Sequence, residues 1–334
     1  MKVLILGGTV FLGRHLIDCA LSRGHEVTLF NRGTHAGLYP NLEQLHGDRD
    51  GSLDSLRGRR WDVAIDTSGY LPRVVAASAE QLANSVEHYT FISSVSVYPM
   101  MQADKSEAAP VDSLNEEGSE DAQKHYGPLK ALCEQGVEEA MPGRSLNLRP
   151  GLIVGPLDPT ERFTYWPLRI ARGGEVLVPG PRERQIQFID VRDLADWTIR
   201  LAERRQAGVF NATGPARKLT MGEFMDDCLR VSKRDARLTW IEDEAWLLQH
   251  GAEPWMGFPL WLPPSLGGLL APIERALDAG LEIRPVHETI SDTLNWAIER
   301  PELPPLPRTG RRAGTSPEKE AALLAAWRAE HVSV

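Results

Sequence analysis

Through the first half of the chain, short apolar runs alternate with longer amphipathic stretches, and the two patterns differ in period. The runs at residues 3–6, 27–30, 62–66, 89–93 and 146–154, with a short one at 42–46, read as strands covered on both faces. Between them, residues 12–23, 53–56, 74–83 and 129–139 place apolar side chains at helical spacing. Residues 100–123 are polar, acidic and without period, which predicts a surface loop. After Gly155-Pro156 the alternation weakens, and Pro156, Pro159, Pro167, Pro179 and Pro181 interrupt the pattern. A strand is expected at 188–191, a helix at 193–204 capped by Asp193, and another strand at 209–212. Thr220 and Glu223 have capping-box spacing ahead of a helix at 224–231. The segment 254–264, with Trp255, Phe258 and Trp261 among prolines, reads either as an ordered loop on the core or as a lid or interface. A Pro-rich stretch at 301–307 precedes a closing helix at 317–331, and no internal repeat is present.

Strand alternating with helix predicts an α/β fold, a doubly wound parallel sheet of Rossmann type with a smaller C-terminal substrate-binding lobe. The expected domains are a dinucleotide-binding domain at 1–156 and a mainly substrate-binding lobe at 157–300, with segments returning to the first. A Pro-rich tail and closing helix fill 301–334. The opening sequence MKVLILGGTVFLG carries the cofactor expectation. It runs from strand through a Gly7-Gly8 turn into a helix, which leaves backbone N–H groups at a helix N-terminus to receive a pyrophosphate. Glycine permits the positive φ and the close approach that such a turn requires. Val10 occupies the middle glycine position of the usual fingerprint. The second strand ends in Asn31-Arg32, where a ribose-reading residue belongs; a neutral Asn followed by Arg suits a 2′-phosphate, hence NADP, with NAD the alternative.

The 334 residues carry a formal charge of −9, which argues against a nucleic-acid surface; the one basic cluster is Arg308–Arg312 in the tail. Cys19, Cys133 and Cys228 lie far apart within helical patterns, so no metal site or disulfide framework is expected and all three read as small buried apolar residues. No signal peptide precedes the first strand and no apolar run approaches membrane-spanning length, so a cytoplasmic chain without membrane contact is expected.

Candidate chemistry lies beyond the glycine turn. The strand at Phe91-Ile92 runs into Ser93-Ser94-Val95-Ser96-Val97-Tyr98, and Tyr126 stands four residues before Lys130. On a helix that spacing puts the two on one face. A neighbouring ammonium favours the phenolate, making tyrosine a usable proton donor and acceptor. A serine hydroxyl can bond the carbonyl or alkoxide oxygen while a nicotinamide exchanges hydride at carbon. Pro128 places Tyr126 at or just before the helix start. His125 reads as a surface histidine or a proton relay.

These motifs, with Gly47-Asp48, Asp66-Thr-Ser-Gly69, Arg149-Pro-Gly-Leu-Ile-Val-Gly-Pro156, Phe188-Ile-Asp-Val-Arg-Asp-Leu-Ala195 and Phe210-Asn-Ala-Thr-Gly214, resemble the extended short-chain dehydrogenase/reductase superfamily, the NAD-dependent epimerase/dehydratase group, with Val10 as in its atypical branch. The resemblance covers roughly the first two thirds of the chain. It implies that Gly7, Thr9, Phe11, Leu12 and Gly13 hold the pyrophosphate and that Asn31 and Arg32 read the ribose. Asp48 would sit by the adenine. Thr67, Ser68, Gly69 and Ser93 would line the cofactor, and Pro150, Leu152 and Ile153 would border the nicotinamide. Ser94 would be the catalytic serine, Tyr126 the acid/base, and Lys130 its activator and ribose ligand. It also places Arg162 and Trp166 toward substrate, with Asp190 and Asp193 as further substrate-contact candidates. Two positions depart from the sugar-nucleotide members: Ile186 stands for an arginine and Leu152 for an asparagine, with Arg182 or Arg184 as possible substitutes.

Three readings follow. The first is an NADP-dependent reductase or dehydrogenase acting on a carbonyl or secondary alcohol of a sugar-like or secondary-metabolite small molecule, as a monomer or homodimer. The second is a sugar or nucleotide-sugar epimerase with tightly held NAD. The third is a non-catalytic RNA-binding protein, since the resemblance extends to plant chloroplast stem-loop binding proteins.

Overall fold

The computed structural model describes residues 1–35, 37–116, 118–306 and 310–331. In chain order its elements begin β1 (Lys2–Leu6), α1 (Leu12–Ser22), β2 (Glu26–Asn31), β3 (Glu43–His46), β4 (Val63–Asp66), α2 (Pro72–Leu82), β5 (His88–Ile92), α3 (Tyr126–Ala140), β6 (Ser145–Pro150) and β7 (Ile153–Val154). They continue α4 (Tyr165–Ala171), β8 (Gly174–Pro179), β9 (Gln185–Ile186), β10 (Ile189–Asp190), α5 (Val191–Glu203), β11 (Gly208–Ala212), β12 (Leu219–Thr220) and α6 (Met221–Ser232). The last are β13 (Ala236–Ile241), α7 (Glu244–Gln249), α8 (Glu274–Asp278), α9 (Val286–Glu299) and α10 (Pro317–His331).

The chain divides into two units. The first comprises Met1–Ile153, Ile189–Ala216 and Leu269–Ile283. Seven strands form its sheet in the order β3-β2-β1-β4-β5-β6-β11, every pairing parallel. Because successive strand residues point to opposite faces, β1 feeds two cores. Val3 and Ile5 join Val27, Leu29 and Val63 under α1 and α5, where Leu16, Ile17, Leu194 and Trp197 are buried. Leu4 and Leu6 join Phe30, Ala64 and Phe91 under α2 and α3, where Val75, Leu82, Cys133 and Val137 are buried. Each valine, leucine, isoleucine or phenylalanine among them contributes about 1.5–3 kcal/mol on leaving water, which is why both faces of the sheet are covered. This is the doubly wound, Rossmann-like arrangement.

The second unit comprises Val154–Phe188, Arg217–Gly268 and the chain from Arg284 on. It holds a parallel pair, β8 with β13, and a short antiparallel pair, β9 with β12. Phe163 and Phe224 meet with ring centroids 5.2 Å apart at its centre. In the Trp-rich segment Phe258, Leu260 and Trp261 are buried, so it packs as an ordered loop on this core. On α10 the buried Glu320 accepts from Leu177 N at 3.0 Å and Arg169 Nε at 2.6 Å, docking the closing helix against β8.

Local expectations met the structure unevenly. Thr220 and Glu223 form the full capping box that starts α6. Residues 53–56 make only one 3-10 turn, Asp54–Leu56, because four residues cannot repay the ordering of an α-helical nucleus. The cap of α5 is Asp190, whose carboxylate accepts from Arg192 N at 2.9 Å; Asp193 lies inside the first turn. Strands β8 and β13 and helix α9 had no counterpart in the sequence reading. Cys133 and Cys228 are buried, whereas Cys19 is only half-buried, its thiol raised to about 11 mainly by burial. Of the arginine cluster, Arg311 pairs with Glu253 and Arg312 donates to Pro304 O. Residues 307–309, including Arg308, and 332–334 lie outside the described residues. Among the described residues no helix is long and apolar enough to cross a membrane.

One buried ion pair braces α3 against β6. Arg149 Nε and Nη2 donate to Glu134 at 2.9 and 2.6 Å, and Nη1 donates to Tyr98 Oη at 2.7 Å, which in turn donates to Asn211 Oδ1. Removing one partner strands a charge, whereas removing both does not. Arg149→Met is therefore expected to lose about 3–5 kcal/mol in urea unfolding, and Arg149→Met/Glu134→Leu to recover most of it. A single variant within about 1 kcal/mol of the parent would contradict this.

Candidate active site at the carboxyl edge of the parallel sheet

The carboxyl ends of β1, β4 and β5 supply the chemistry-bearing loops, as open parallel sheets do. At β1, Gly7 and Gly8 have φ of 97° and 89°, conformations that L side chains rarely adopt. A Cβ on Gly7 would lie 2.7 Å from Thr67 Oγ1, and one on Gly13 would overlap the backbone of Gly8. Glycine at these positions lets the turn fold onto the start of α1. Phe11, the residue before α1, has φ 39° and gives the helix no side-chain cap, so no side chain competes for its first amides. Thr9 Oγ1 lies 3.1 Å from His35 Nδ1, while Leu12 is buried beneath the turn.

At the end of β2, Asn31 Oδ1 accepts from Gly33 N at 2.7 Å, shaping the turn that carries the exposed Arg32. After β3, Asp48 is exposed and its Oδ1 accepts from Asp50 N. After β4, Thr67 N and Oγ1 both donate to Leu6 O, at 3.1 and 3.0 Å, which ties the β1 and β4 loops together. Gly69 is tightly enclosed, since a Cβ there would lie 2.5 Å from the Phe91 ring. At the end of β6, Pro150 and Leu152 are buried and Ile153 is half-buried. These residues fit a dinucleotide: a glycine cradle with no room for side chains, an uncapped helix start behind it, and a cationic side chain after β2.

The Ser94 turn and Tyr126 come together through a glycine. Ser94 Oγ accepts from Ser96 N at 3.0 Å, capping the 3-10 turn Val95–Val97. Tyr126 is the first residue of α3 and is half-buried. A Cβ on Gly127 would overlap Ser96 O, so only glycine lets the helix start abut the serine turn. Among the described residues, the buried Ser93 Oγ has no hydrogen-bond partner.

Lys130, one helical turn beyond Tyr126, is buried, and its Nζ donates to Ile92 O at 2.6 Å and Gly69 O at 2.8 Å. The ammonium also sits 4.0 Å from the Phe91 ring centroid and 5.7 Å from that of Tyr70. Tyr70 and Tyr126 approach with centroids 6.4 Å apart. Burial lowers the Lys130 pKa to about 8, with the Asp66 and Glu134 charges holding it back from falling further.

Sequence reading missed Tyr70, Phe91 and the Arg49–Asp66 pair described below; the quoted motifs contain Phe91 and Asp66 but say nothing of their partners. Two expectations are corrected. Trp166 is fully buried with Nε1 donating to Pro259 O at 2.7 Å, so it is core of the second unit and not exposed to substrate. Asp190 is likewise buried as the α5 cap. Arg162 lies 5.7 Å from the Trp255 ring within the second unit, and His125 is within 3.2 Å of Glu116.

The NAD dependent epimerase/dehydratase family matches residues 63–213. That match spans somewhat under half of the chain, from β4 to just past β11, and includes the Ser94 turn, Tyr126 and Lys130. It is 29% identical over 237 residues to the chloroplast stem-loop binding protein of 41 kDa b of Arabidopsis thaliana, covering 64% of this chain and 58% of that one. An isoflavone reductase homolog of Zea mays is 25% identical, with 85% and 90% covered. The UDP-glucuronic acid 4-epimerase of Bacillus cereus, solved in complex with NAD, superimposes with a TM-score of 0.65 at 15% identity, covering 90% of this chain and 99% of the other.

The Lys130 pKa has a thermodynamic consequence. Its protonated form is disfavoured in the fold, so the unfolded chain binds more protons between pH 8 and about 10.5, and stability rises with pH across that window. Lys130→Met is thus expected to unfold at a higher urea concentration than the parent at pH 7, by about 1–2 kcal/mol, once loss of the two carbonyl contacts is set against relief of the buried charge. The gain should shrink as pH approaches 10.5. A loss of more than about 1 kcal/mol at pH 7 would show that the ammonium is well accommodated.

Proposed function

We propose that this chain is an NAD(P)-dependent oxidoreductase, with NADP preferred, that interconverts a carbonyl and a secondary alcohol on a sugar-like or secondary-metabolite small molecule. The observation that carries the reading is the Lys130 ammonium, fixed at the sheet's carboxyl edge one turn from Tyr126 and beside the Ser94 turn. When bound, the nicotinamide would supply or accept the hydride. Gly7, Thr9, Phe11, Leu12 and Gly13 would hold its pyrophosphate, Asp48 the adenine side, and Thr67, Ser68, Gly69 and Ser93 the intervening wall. Pro150, Leu152 and Ile153 would border the nicotinamide.

The chain's own residues would then manage the proton. Ser94 Oγ already accepts from Ser96 N, which leaves its own hydrogen to donate to a substrate oxygen. Tyr126 Oη would give a proton to that oxygen in reduction and take it back in oxidation. Lys130 favours the phenolate by its charge. Because half of Lys130 is deprotonated near pH 8, activity is expected to fall as pH rises through that value.

Ile186, standing where the sugar-nucleotide members carry an arginine, supports a reductase over a nucleotide-sugar epimerase. Ile186 is buried in β9, paired with Leu219 of β12, and Arg182 is engaged by Asp226 at 2.9 Å. NADP preference rests on Arg32, exposed after β2 as a 2′-phosphate would require. The likeness to the Arabidopsis stem-loop binding protein favours one other reading, RNA binding, against which the net charge of −9 weighs.

Titration with NADP and NAD tests this. NADP should bind at least about tenfold more tightly, and Arg32→Ala should remove most of that difference while leaving NAD unchanged. Tyr126→Phe should lower turnover by about 10²–10⁴-fold with cofactor affinity retained. Tighter binding of NAD, or RNA affinity at low salt with no dinucleotide binding, would overturn the proposal.

A further inference from the structure

Arg49, next to Asp48 in the first unit, keeps only 10% of its side chain exposed, and every nitrogen of its guanidinium has a partner. Nη1 and Nη2 donate to the two oxygens of Asp66, each at 2.6 Å; Nη1 also lies 3.2 Å from Ser68 Oγ, and Nε donates to Ser78 Oγ at 3.1 Å. Asp66 ends β4 with no exposed surface and also accepts from Tyr89 Oη and Ser68 N, both at 3.0 Å. On the other side of the same loop, Asp50 pairs with Arg73 of α2. The loop is closely packed at its start: a Cβ on Gly47 would lie 2.6 Å from Ser52 O and 2.8 Å from the Phe30 ring.

A buried ion pair of this kind gives little net stability compared with apolar side chains of similar volume. What it does provide is geometry, because a planar fork on a carboxylate fixes both distance and orientation. Here the fork joins the loop after β3, which carries Asp48, to the loop after β4, which carries Ser68 and Gly69. Each loop has other anchors, Gly47 packing and the Arg73–Asp50 pair on one and the Thr67 and Lys130 hydrogen bonds on the other, but the fork runs directly from one loop to the end of the strand that carries the other. We infer that Arg49, through Asp66 and Ser68, is the positioning residue for the adenosine end of the dinucleotide site, setting the separation of its two walls before any ligand arrives. The inference rests on the proposed cofactor reading and adds a residue that itself need not touch the cofactor. Preorganisation of this sort shows as affinity, because the ordering has been done in the free protein.

The test compares the full chain with Arg49→Met, Arg49→Lys and Arg49→Met/Asp66→Leu, measuring melting temperature and affinity for NADP and for adenosine 2′,5′-bisphosphate. The double variant should fold, melting below the parent only by what the lost Tyr89 and Ser68 contacts to Asp66 cost, yet bind both ligands at least about tenfold more weakly, in equal proportion, since the defect lies at their shared end. Arg49→Lys, which keeps the charge but loses the fork, should fall between. A folded double variant that binds both ligands within about twofold of the parent would overturn the inference, as would weakening of NADP alone. If the double variant does not fold, Arg49→Lys decides: unchanged affinity and unchanged amide exchange at residues 47–50 and 67–69 count against the role, and faster exchange with weaker binding supports it. A parent chain that binds neither ligand nor NAD would instead sink the cofactor reading itself.

Discussion

A single ammonium, buried without a carboxylate in hydrogen-bond contact among the described residues, sets the terms for the candidate site. Lys130 donates to Gly69 O and Ile92 O and lies against two aromatic rings. Desolvating a charge is costly, and two carbonyl dipoles and two ring faces offset it only in part. The residue is therefore held near its titration point at about pH 8. Groups poised in this way gather where proton transfer is carried out. The same contacts draw the ends of β4, β5 and α3 to one point.

Close approach by glycine makes that convergence possible. Gly127 lets α3 start against the Ser94 turn, Gly69 nests on Phe91, and Gly13 seats α1 on Gly8. At each, a methyl group would meet backbone or a rigid ring, so the spacing among loops is fixed sterically. The buried pairs Arg149–Glu134 and Arg49–Asp66 act differently: they orient elements through hydrogen-bond geometry while adding little to net stability. Steric and polar constraints thus divide the work, the glycines setting how near two segments come and the arginines how they are turned.

The sheet was legible because its strands are continuous apolar runs and its helices keep a 3.6-residue period; residues 3–6 and 12–23 announce β1 and α1 by pattern alone. Thr220 and Glu223 announced α6 for a local reason, a cap needing only three residues. Elsewhere local cues misled. Asp193 looked like the cap of α5, but chain direction into β10 gave that role to Asp190. Strand β8 was hidden because its stability comes from β13, distant in sequence, and α9 because no cap marks its start. Ser94, Tyr126 and Lys130 could be grouped from motif order. The partners Tyr70, Phe91 and Arg49 could not, since each matters through a tertiary contact that spacing does not encode.

The candidate site depends most on the state of one side chain, and that state can be measured directly. Nitrogen-15 NMR of lysine Nζ groups, with the Lys130 signal assigned by its loss in Lys130→Met, gives the titration of that ammonium in the ligand-free protein. A midpoint near pH 8, well below the ordinary lysine value of about 10.4, is the expected result. A midpoint at or above the ordinary value would mean that the ammonium is hydrated or paired, and that the proposed proton transfer has no desolvated ammonium to draw on.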